Sequence, residues 1–127
     1  MIKKPLVKKS KYGNRKVVID GITFDSIGEG NRYSELRILE KKGDIQNLTC
    51  HMKFNLEAGI TFKPDFVYDQ NNKTIVEDYK GFVTESYKLR RKLFIHKFIV
   101  NGSIHKYLES YKNGVTKEIK PPKAKKQ

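Results

Sequence analysis

The segment TIVEDYKG, residues 74–81, begins with the β-branched residues of a half-buried strand and ends in charges. Acidic and basic side chains are seldom fully buried unless they are paired, so their presence in this element needs a reason. Because side chains alternate along a strand, Asp78 and Lys80 are predicted to share one face of a sheet, and Glu77 to point to the other. The Asp-x-Lys spacing therefore predicts a carboxylate beside an ammonium group at a strand end.

A second carboxylate comes from the preceding segment, FKPDFVYD. Pro64 cannot donate a hydrogen bond to a sheet and suits the start of a strand, which puts Asp65 at that start. The dipeptide Asn71-Asn72 predicts a turn that joins the two segments in a hairpin. In that register, Asp65 and Asp78 are predicted to meet at the open end of the hairpin.

Two adjacent carboxylates repel each other unless a cation lies between them. Mg²⁺ is a simple candidate, because it prefers oxygen ligands and keeps several waters when one or two carboxylates bind it, and Mn²⁺ is expected to substitute. Such an ion polarises a phosphoryl oxygen and lowers the pKa of bound water. Lys80 would orient that water or stabilise the pentavalent phosphate. These residues therefore predict a site that cleaves phosphodiester bonds.

Two helices are predicted to flank these strands. The first covers about 26–42, with Ser26 as N-cap and Gly43 as the residue that ends it. The second covers about 84–100, and its apolar side includes Leu89. The apolar stripe of the first helix recurs near the helical period and consists of Tyr33, Leu36, Leu39 and the adjacent Ile38.

Runs of β-type residues occupy the rest of the chain. Asp20-Gly21 between two such runs is a strong hairpin signal, and strand-like segments follow at 45–56, 60–69 and 103–110. The resulting order is hairpin, helix, three strands, helix and strand. This order predicts an α/β fold in which helices flank a mixed central sheet, with an N-terminal β-hairpin.

The stretch PDFVYDQNNKTIVEDYKG resembles the signature of the PD-(D/E)XK nuclease superfamily. Asp65 matches its first Asp, Asp78 its second acid and Lys80 its lysine, and the Ser-x-x-Glu start of the first helix offers Glu29 where members often carry a further acid. The chain also resembles an uncharacterised phage-encoded family within this superfamily and, more distantly, the endonuclease I junction resolvases of coliphages. The resemblance covers about 11–98.

This resemblance implies a restriction-endonuclease-like αβββαβ core and a Mg²⁺-dependent endodeoxyribonuclease. Its catalytic residues would be Glu29, Asp65, Asp78 and Lys80, of which the three acids would bind the metal. The implied substrate is DNA, with branched DNA or a Holliday junction as the specific case, and the implied assembly is a homodimer. The implied setting is phage DNA processing and recombination in the cytoplasm of a bacterial host.

Several of these residues have simpler interpretations. Ser26-x-x-Glu29 is also the sequence of a capping box, so Glu29 could serve as a helix cap alone, with Glu35 as the fallback ligand. Glu77 competes with Asp78 for the metal, but only Asp78 has the i+2 relation to Lys80. The histidines lack metal-ligand spacing and are predicted to be surface or packing residues; they are His51, His96 and His105.

Positive charge is concentrated at the ends of the chain, whose net charge is +13. The predicted organisation is a basic arm at 1–16, a nuclease domain at 17–110 and a basic tail at 111–127. Basic arms on a nearly balanced body are typical of contacts with the phosphate backbone. The predicted DNA-binding residues lie on the second helix and the N-terminal arm: Lys88, Arg90, Arg91, Lys92, Lys97, Lys8, Lys9, Lys11, Arg15 and Lys16.

Composition limits the partners and the cellular compartment that are expected. No apolar run of about 18 residues is present, so no membrane partner is expected. The single cysteine, Cys50, fits a reducing compartment and a packing role. Two other functions stay open: a non-catalytic DNA-binding module on a degenerate nuclease fold, and a small sequence-specific restriction-type endonuclease.

Overall fold

A five-stranded mixed sheet forms the centre of the computed structural model, and an antiparallel hairpin precedes it in the chain. The structure describes the backbone of residues 8–9, 15–112 and 114–123, and the side chains of residues 15–112 and 114–123. The predicted α/β class, with a mixed sheet, two helices and an N-terminal hairpin, is confirmed.

The helices are α1 (Ile27–Lys42) and α2 (Glu85–Phe94), and α2 continues as a π-helical turn over Ile95–Ile99. The strands of the described residues are, in chain order, β1 (Lys8–Lys9), β2 (Arg15–Ile19), β3 (Ile22–Phe24), β4 (Gln46–Cys50), β5 (Phe54–Asn55), β6 (Thr61–Phe62), β7 (Phe66–Gln70), β8 (Lys73–Tyr79), β9 (Lys106–Ser110) and β10 (Thr116–Glu118).

The central sheet has the strand order β10-β9-β8-β7-β4. Strands β8 and β9 run parallel, and the other neighbours run antiparallel. Helix α2 makes the crossover between the two parallel strands, as a parallel pair requires. Along the chain, α1, β4, β7, β8, α2 and β9 reproduce the predicted order of helix, three strands, helix and strand.

Two hydrophobic cores lie on opposite faces of this sheet, because residues of β7 and β8 alternate between them. The core beneath α1 consists of Val17, Phe24, Tyr33, Leu36, Ile45, Phe66, Tyr68 and Ile75. The core beneath α2 consists of Leu56, Phe62, Val67, Val76, Tyr87, Phe94, Ile95, Ile104 and Tyr107. Asp78 therefore lies on the α2 face and Glu77 on the α1 face, as the alternation predicts.

Local signals at α1 are confirmed at both of its ends. The Ser26 hydroxyl accepts a hydrogen bond from the Glu29 N–H at 3.1 Å, and Gly43 ends the helix with φ 84°, a conformation that glycine adopts without strain. The predicted apolar stripe is correct for Tyr33 and Leu36, which are buried. It is wrong for Ile38, which is 59% exposed because it lies outside the arc that faces the sheet.

Other segments depart from the predicted strands and helices. The predicted strands at 45–56 and 60–69 are each interrupted, and their inner ends pair as the separate two-stranded sheet β5–β6. Leu89 is exposed rather than part of the apolar side of α2. Beyond residue 110, where the predicted domain ends, β10 still adds an edge strand to the central sheet.

The N-terminal arm is only partly described. The backbones of Lys8 and Lys9 pair with those of Lys16 and Arg15 as a short antiparallel ladder. Lys11 lies outside the described residues. Among the helices that the structure does describe, none is long and apolar enough to cross a membrane.

A buried ion pair fastens α1 to the sheet. The Glu77 side chain has no exposed surface, and the Arg32 guanidinium donates to both of its oxygens, at 2.6 and 2.9 Å. The Tyr68 hydroxyl donates to the same carboxylate at 2.7 Å. The hydrogen bonds with Glu77 raise the pKa of Arg32 above its ordinary value. This bidentate geometry satisfies both buried charges.

We expect Glu77→Gln to lower the free energy of unfolding by about 3 kcal/mol, because it removes the buried partner of a mostly buried Arg32 charge and leaves only the exposed Glu35 to pair with it. Glu35→Gln is the matched control, since Glu35 pairs with the same arginine from the exposed surface and should cost less than about 0.5 kcal/mol. Urea unfolding of both variants measures the difference. Equal losses would contradict the structural role assigned to Glu77.

Candidate functional site

The β7–β8 hairpin brings two carboxylates together at its mouth. Phe66 pairs with Glu77 in the ladder, so the next positions, Asp65 and Asp78, face each other. The Asp65 N–H donates to Asp78 Oδ1 at 3.1 Å, and the Tyr79 N–H donates to Asp65 Oδ2 at 2.8 Å. The predicted meeting of these two carboxylates is therefore present, and backbone hydrogen bonds from both strands hold it.

Lys80 lies next to this pair on the α2 face of the sheet. Its Nζ is 2.9 Å from Asp78 Oδ2 and 4.0 Å from the centre of the Tyr87 ring. Its backbone N–H donates to the Ser110 carbonyl at 2.9 Å, which fixes the residue to β9. Asp78 is 2% exposed, and its Oδ2 accepts no well-aligned hydrogen bond although the ammonium group is close.

Glu29 joins the site from the first turn of α1. It is a cap and an inward-facing acid at once: its Oε2 accepts the Asp25 N–H at 3.3 Å, and its Oε1 lies 2.8 Å from His51 Nε2. The side chain is almost fully buried. Glu35, the fallback ligand, is 60% exposed and pairs with Arg32 instead.

His51 is the site residue that the sequence analysis missed. The candidate donor atoms of Glu29, His51 and Asp65 all lie within 4.8 Å of one another, whereas His96 and His105 are exposed. No sequence signal marks it, because it lies inside the strand-like segment predicted at 45–56, whereas β4 ends one residue before it. The β4–β7 register, which brings that strand end beside Asp65, contains an irregularity that no local pattern reveals.

Negative charge accumulates in this cluster. Burial raises the pKa of Asp65 well above its ordinary value, and the neighbouring charges of Asp78 and then Glu29 raise it further. Burial also raises the pKa of the Cys50 thiol to about 12, with contributions from Glu29 and Asp65. The thiol is therefore not a nucleophile near neutral pH, and the carboxylates need a proton or a cation to coexist.

A hydrogen-bonded network supports Lys80 from beneath. The Tyr87 hydroxyl lies 2.8 Å from that of Tyr107 and donates to Glu109 Oε2 at 2.5 Å. Arg91 donates to the same oxygen at 2.6 Å. Although burial disfavours the Glu109 charge, hydrogen bonds from Tyr87, Tyr111 and Arg91 hold its pKa below the ordinary value. Arg91, predicted to bind DNA, therefore points inward and stabilises the fold.

The remaining predicted DNA-binding residues differ in their placement. Lys88 and Lys92 are exposed on α2. Arg90 donates to the Thr61 carbonyl and to the Ser86 hydroxyl, and Lys97 donates to the Asn55 carbonyl at 3.1 Å. The described arm residues Arg15 and Lys16 are exposed, and the side chains of Lys8, Lys9 and Lys11 lie outside the described residues.

An open cleft of about 1270 Å³ lies over the carboxylate cluster. Glu29, Asp65 and Lys80 form part of its wall, and Arg15 and Lys112 add positive charge to it. Gly28 leaves room for the Tyr79 ring at this wall, because a Cβ atom there would lie 2.1 Å from the Tyr79 hydroxyl. The cleft therefore presents both acidic and basic side chains, Lys80 among them, to one ligand.

A family model described as "Protein of unknown function (DUF1064)" matches residues 9–112. The match covers most of the chain, which therefore belongs to the DUF1064 family. No curated protein matches the sequence at a significant level. The family description assigns no activity, so function has to follow from the chemistry of the cluster.

The raised pKa of Asp65 predicts how stability depends on pH. Without a divalent ion, the folded chain binds more protons than the unfolded chain between the two pKa values, so stability falls as the pH rises above about 4. Asp65→Asn removes the charge and keeps an oxygen for the Tyr79 N–H. We expect the variant in EDTA to be more stable than wild type at neutral pH, by at least about 1 kcal/mol.

Urea unfolding in EDTA across this pH range tests the expectation, and the difference should vanish near pH 4. Added Mg²⁺ is the internal control, since it should stabilise wild type more than Asp65→Asn. A variant that is less stable than wild type at every pH would show that the carboxylates do not repel each other.

Proposed function

We propose that this member of the DUF1064 family is a divalent-metal-dependent endonuclease that hydrolyses phosphodiester bonds in DNA. The observation that carries the proposal is the contact between Asp65 and Asp78, with Lys80 beside Asp78 and with Glu29, Asp65 and Lys80 lining one cleft. Carboxylates held this close, with a lysine on the same strand end, suit metal-assisted phosphoryl chemistry.

The donor set fits a divalent cation. Glu29, Asp65 and Asp78 would hold Mg²⁺ or Mn²⁺, because hard cations take carboxylate oxygens. Lys80 Nζ lies 2.9 Å from Asp78 Oδ2, yet burial and the Asp78 charge still raise the pKa of Asp65, so a further cation would stabilise the pair. When bound, the ion polarises a phosphoryl oxygen and supplies a water of lowered pKa.

Lys80 would stabilise the negative charge that develops on the phosphoryl group, or orient the attacking water. Its ammonium group lies over the Tyr87 ring face, an attractive cation–π arrangement. Asp78 forms an ion pair with the same ammonium group, so the positive charge is held at the cleft before a substrate binds. Such preorganisation is what makes an electrostatic contribution effective.

DNA is the proposed substrate because cationic side chains lie in the cleft and on the exposed surface of α2. Arg15 and Lys112 line the same cleft, and Lys88 and Lys92 extend from α2. Contacts of this kind neutralise phosphates without reading bases. Branched DNA, including a Holliday junction, is the specific case that we propose; paired cuts across a junction need two active sites and hence a homodimer.

The proposed biological setting is phage DNA processing in the cytoplasm of a bacterial host, and it rests on the sequence resemblance alone. The geometry favours an enzyme over a non-catalytic DNA-binding module, because a module gains nothing from a buried, repelling pair such as Asp65 and Asp78. A restriction-type enzyme would differ from the proposed one in requiring a sequence rather than a branch.

We expect Asp78→Asn to abolish cleavage and Lys80→Ala to slow it about 10²–10³-fold, the usual cost of losing one preorganised charge. Lys73→Ala is the matched control, because Lys73 is the exposed lysine at the other end of β8. Single-turnover assays on four-way-junction, supercoiled, linear and single-stranded DNA measure the rates in Mg²⁺. Binding is measured in Ca²⁺, where both variants should match wild type.

Robust cutting in excess EDTA, or full activity of Asp78→Asn, would contradict the metal mechanism. Binding without cleavage of any substrate by wild type would favour the non-catalytic module. Cleavage confined to one sequence in linear duplex would favour the restriction-type enzyme.

We expect the double variant Lys88→Ala/Lys92→Ala to flatten the salt dependence of DNA binding. Each lost phosphate contact lowers the slope of log K against log salt by about 0.9, so the change should approach 2. Lys41→Ala/Lys42→Ala is the control, because these lysines end α1 at about 20 Å from Glu29 along the helix axis. Fluorescence anisotropy in Ca²⁺ gives the slope for each double variant. Equal slopes for the two variants would show that the DNA does not contact Lys88 and Lys92.

A further inference from the structure

His51 is tied to the carboxylate cluster through both its backbone and its ring. Its N–H donates to the Asp65 carbonyl at 3.1 Å, and its Nε2 lies 2.8 Å from Glu29 Oε1. Its φ of 57° lies in the left-handed region, which costs a residue with a Cβ roughly 1–2 kcal/mol. The surrounding contacts therefore hold His51 in a conformation that it would not adopt alone.

The donor atoms lie near the spacing of ligands around one ion. Two ligands at about 2.1 Å from an octahedral ion lie about 3.0 Å apart when adjacent and about 4.2 Å apart when opposite. His51 Nε2 and Glu29 Oε1, at 2.8 Å, have the adjacent spacing. The donor atoms of Glu29, His51 and Asp65 all lie within 4.8 Å of one another, so small side-chain rotations would bring all three to bonding distance from one ion.

A second observation concerns the charge balance of the cluster. Asp78 is 2% exposed, and its Oδ2 lies 2.9 Å from Lys80 Nζ without an aligned hydrogen bond. Lys80 forms an ion pair with it, and one ammonium group cannot neutralise Asp65, Asp78 and Glu29 together. A divalent ion held on the Glu29 side of Asp65 would balance the remaining charge.

We propose that His51 is a direct ligand of this ion through Nε2, together with Glu29 and Asp65, and that the site therefore prefers a first-row transition ion to Mg²⁺. The inference rests on the proposed metal-dependent function and specifies its cofactor class. Imidazole nitrogen is a good ligand for transition ions, whereas Mg²⁺ is a hard ion that takes oxygen ligands. As a ligand, the His51 ring would bind the ion through the lone pair of Nε2.

A histidine that only hydrogen-bonds to Glu29 would behave differently. It would orient the Glu29 carboxylate. Its loss would lower the affinity for every divalent ion to a similar extent, since all of them bind that oxygen. A direct nitrogen ligand makes the loss selective: transition ions lose affinity and Mg²⁺ loses little. The two roles therefore separate when two metals are compared.

The test uses Mn²⁺ as the probe on the full chain without DNA. Pulsed EPR of bound Mn²⁺ should show coupling to an imidazole ¹⁴N nucleus. His51→Asn should abolish that coupling, since asparagine tolerates the left-handed backbone but is too short to replace Nε2. We expect Mn²⁺ affinity to fall at least about tenfold, and Mg²⁺ affinity, from competition titrations, to change less than about threefold.

His96→Ala, which removes an exposed histidine, is the control and should keep the ¹⁴N coupling. Mn²⁺ bound without nitrogen coupling in wild type would overturn the assignment of His51 and leave a carboxylate metal site. Coupling that persists in His51→Asn, or equal losses for Mn²⁺ and Mg²⁺, would overturn it as well. Failure of wild type to bind either ion would overturn the proposed metal-dependent function together with it.

Discussion

The site depends on two carboxylates that the sheet holds face to face. Asp65 and Asp78 lie opposite each other in the β7–β8 hairpin, and a backbone N–H binds each of them, so neither can swing away to reduce the repulsion. The turn at Asn71 and Asn72, both with positive φ, sets this register. A slip by one residue would exchange the two faces of β8 and bring Glu77 to the place of Asp78.

The other buried acids of the sheet show how the fold neutralises a carboxylate when it needs only stability. Glu77 has Arg32 and Glu109 has Arg91, each at 2.6 Å. At the hairpin mouth, among the residues that the structure describes, Asp78 has an ion pair with Lys80 and Asp65 has none. That imbalance lowers the stability of the metal-free fold, and it is the physical reason for proposing a metal there. The contrast lies within one sheet, so general burial cannot explain it.

Local rules predicted what depends on local geometry. Strand alternation put Asp78 and Lys80 on one face, and the Asn-Asn turn put Asp65 opposite Asp78. Tertiary packing decided the rest. His51 enters the site through an irregular pairing of β4 with β7, and Arg91 turns inward because Glu109, 18 residues later in the chain, lies beneath it. A pattern of charges on a helix contains neither fact, since it shows which side chains are charged and not which of them find a buried partner.

The ion pair on the α1 face and the carboxylates on the α2 face are parts of one assembly. Arg32 follows Glu29 by three residues, about one helical turn, and Glu77 directly precedes Asp78 on β8. The bidentate contact between Arg32 and Glu77 therefore fixes the turn of α1 that carries Glu29 relative to the strand that carries Asp78. A loose helix would let Glu29 retreat from the repulsion, so a strong interaction on one face of the sheet maintains the unfavourable cluster at its end.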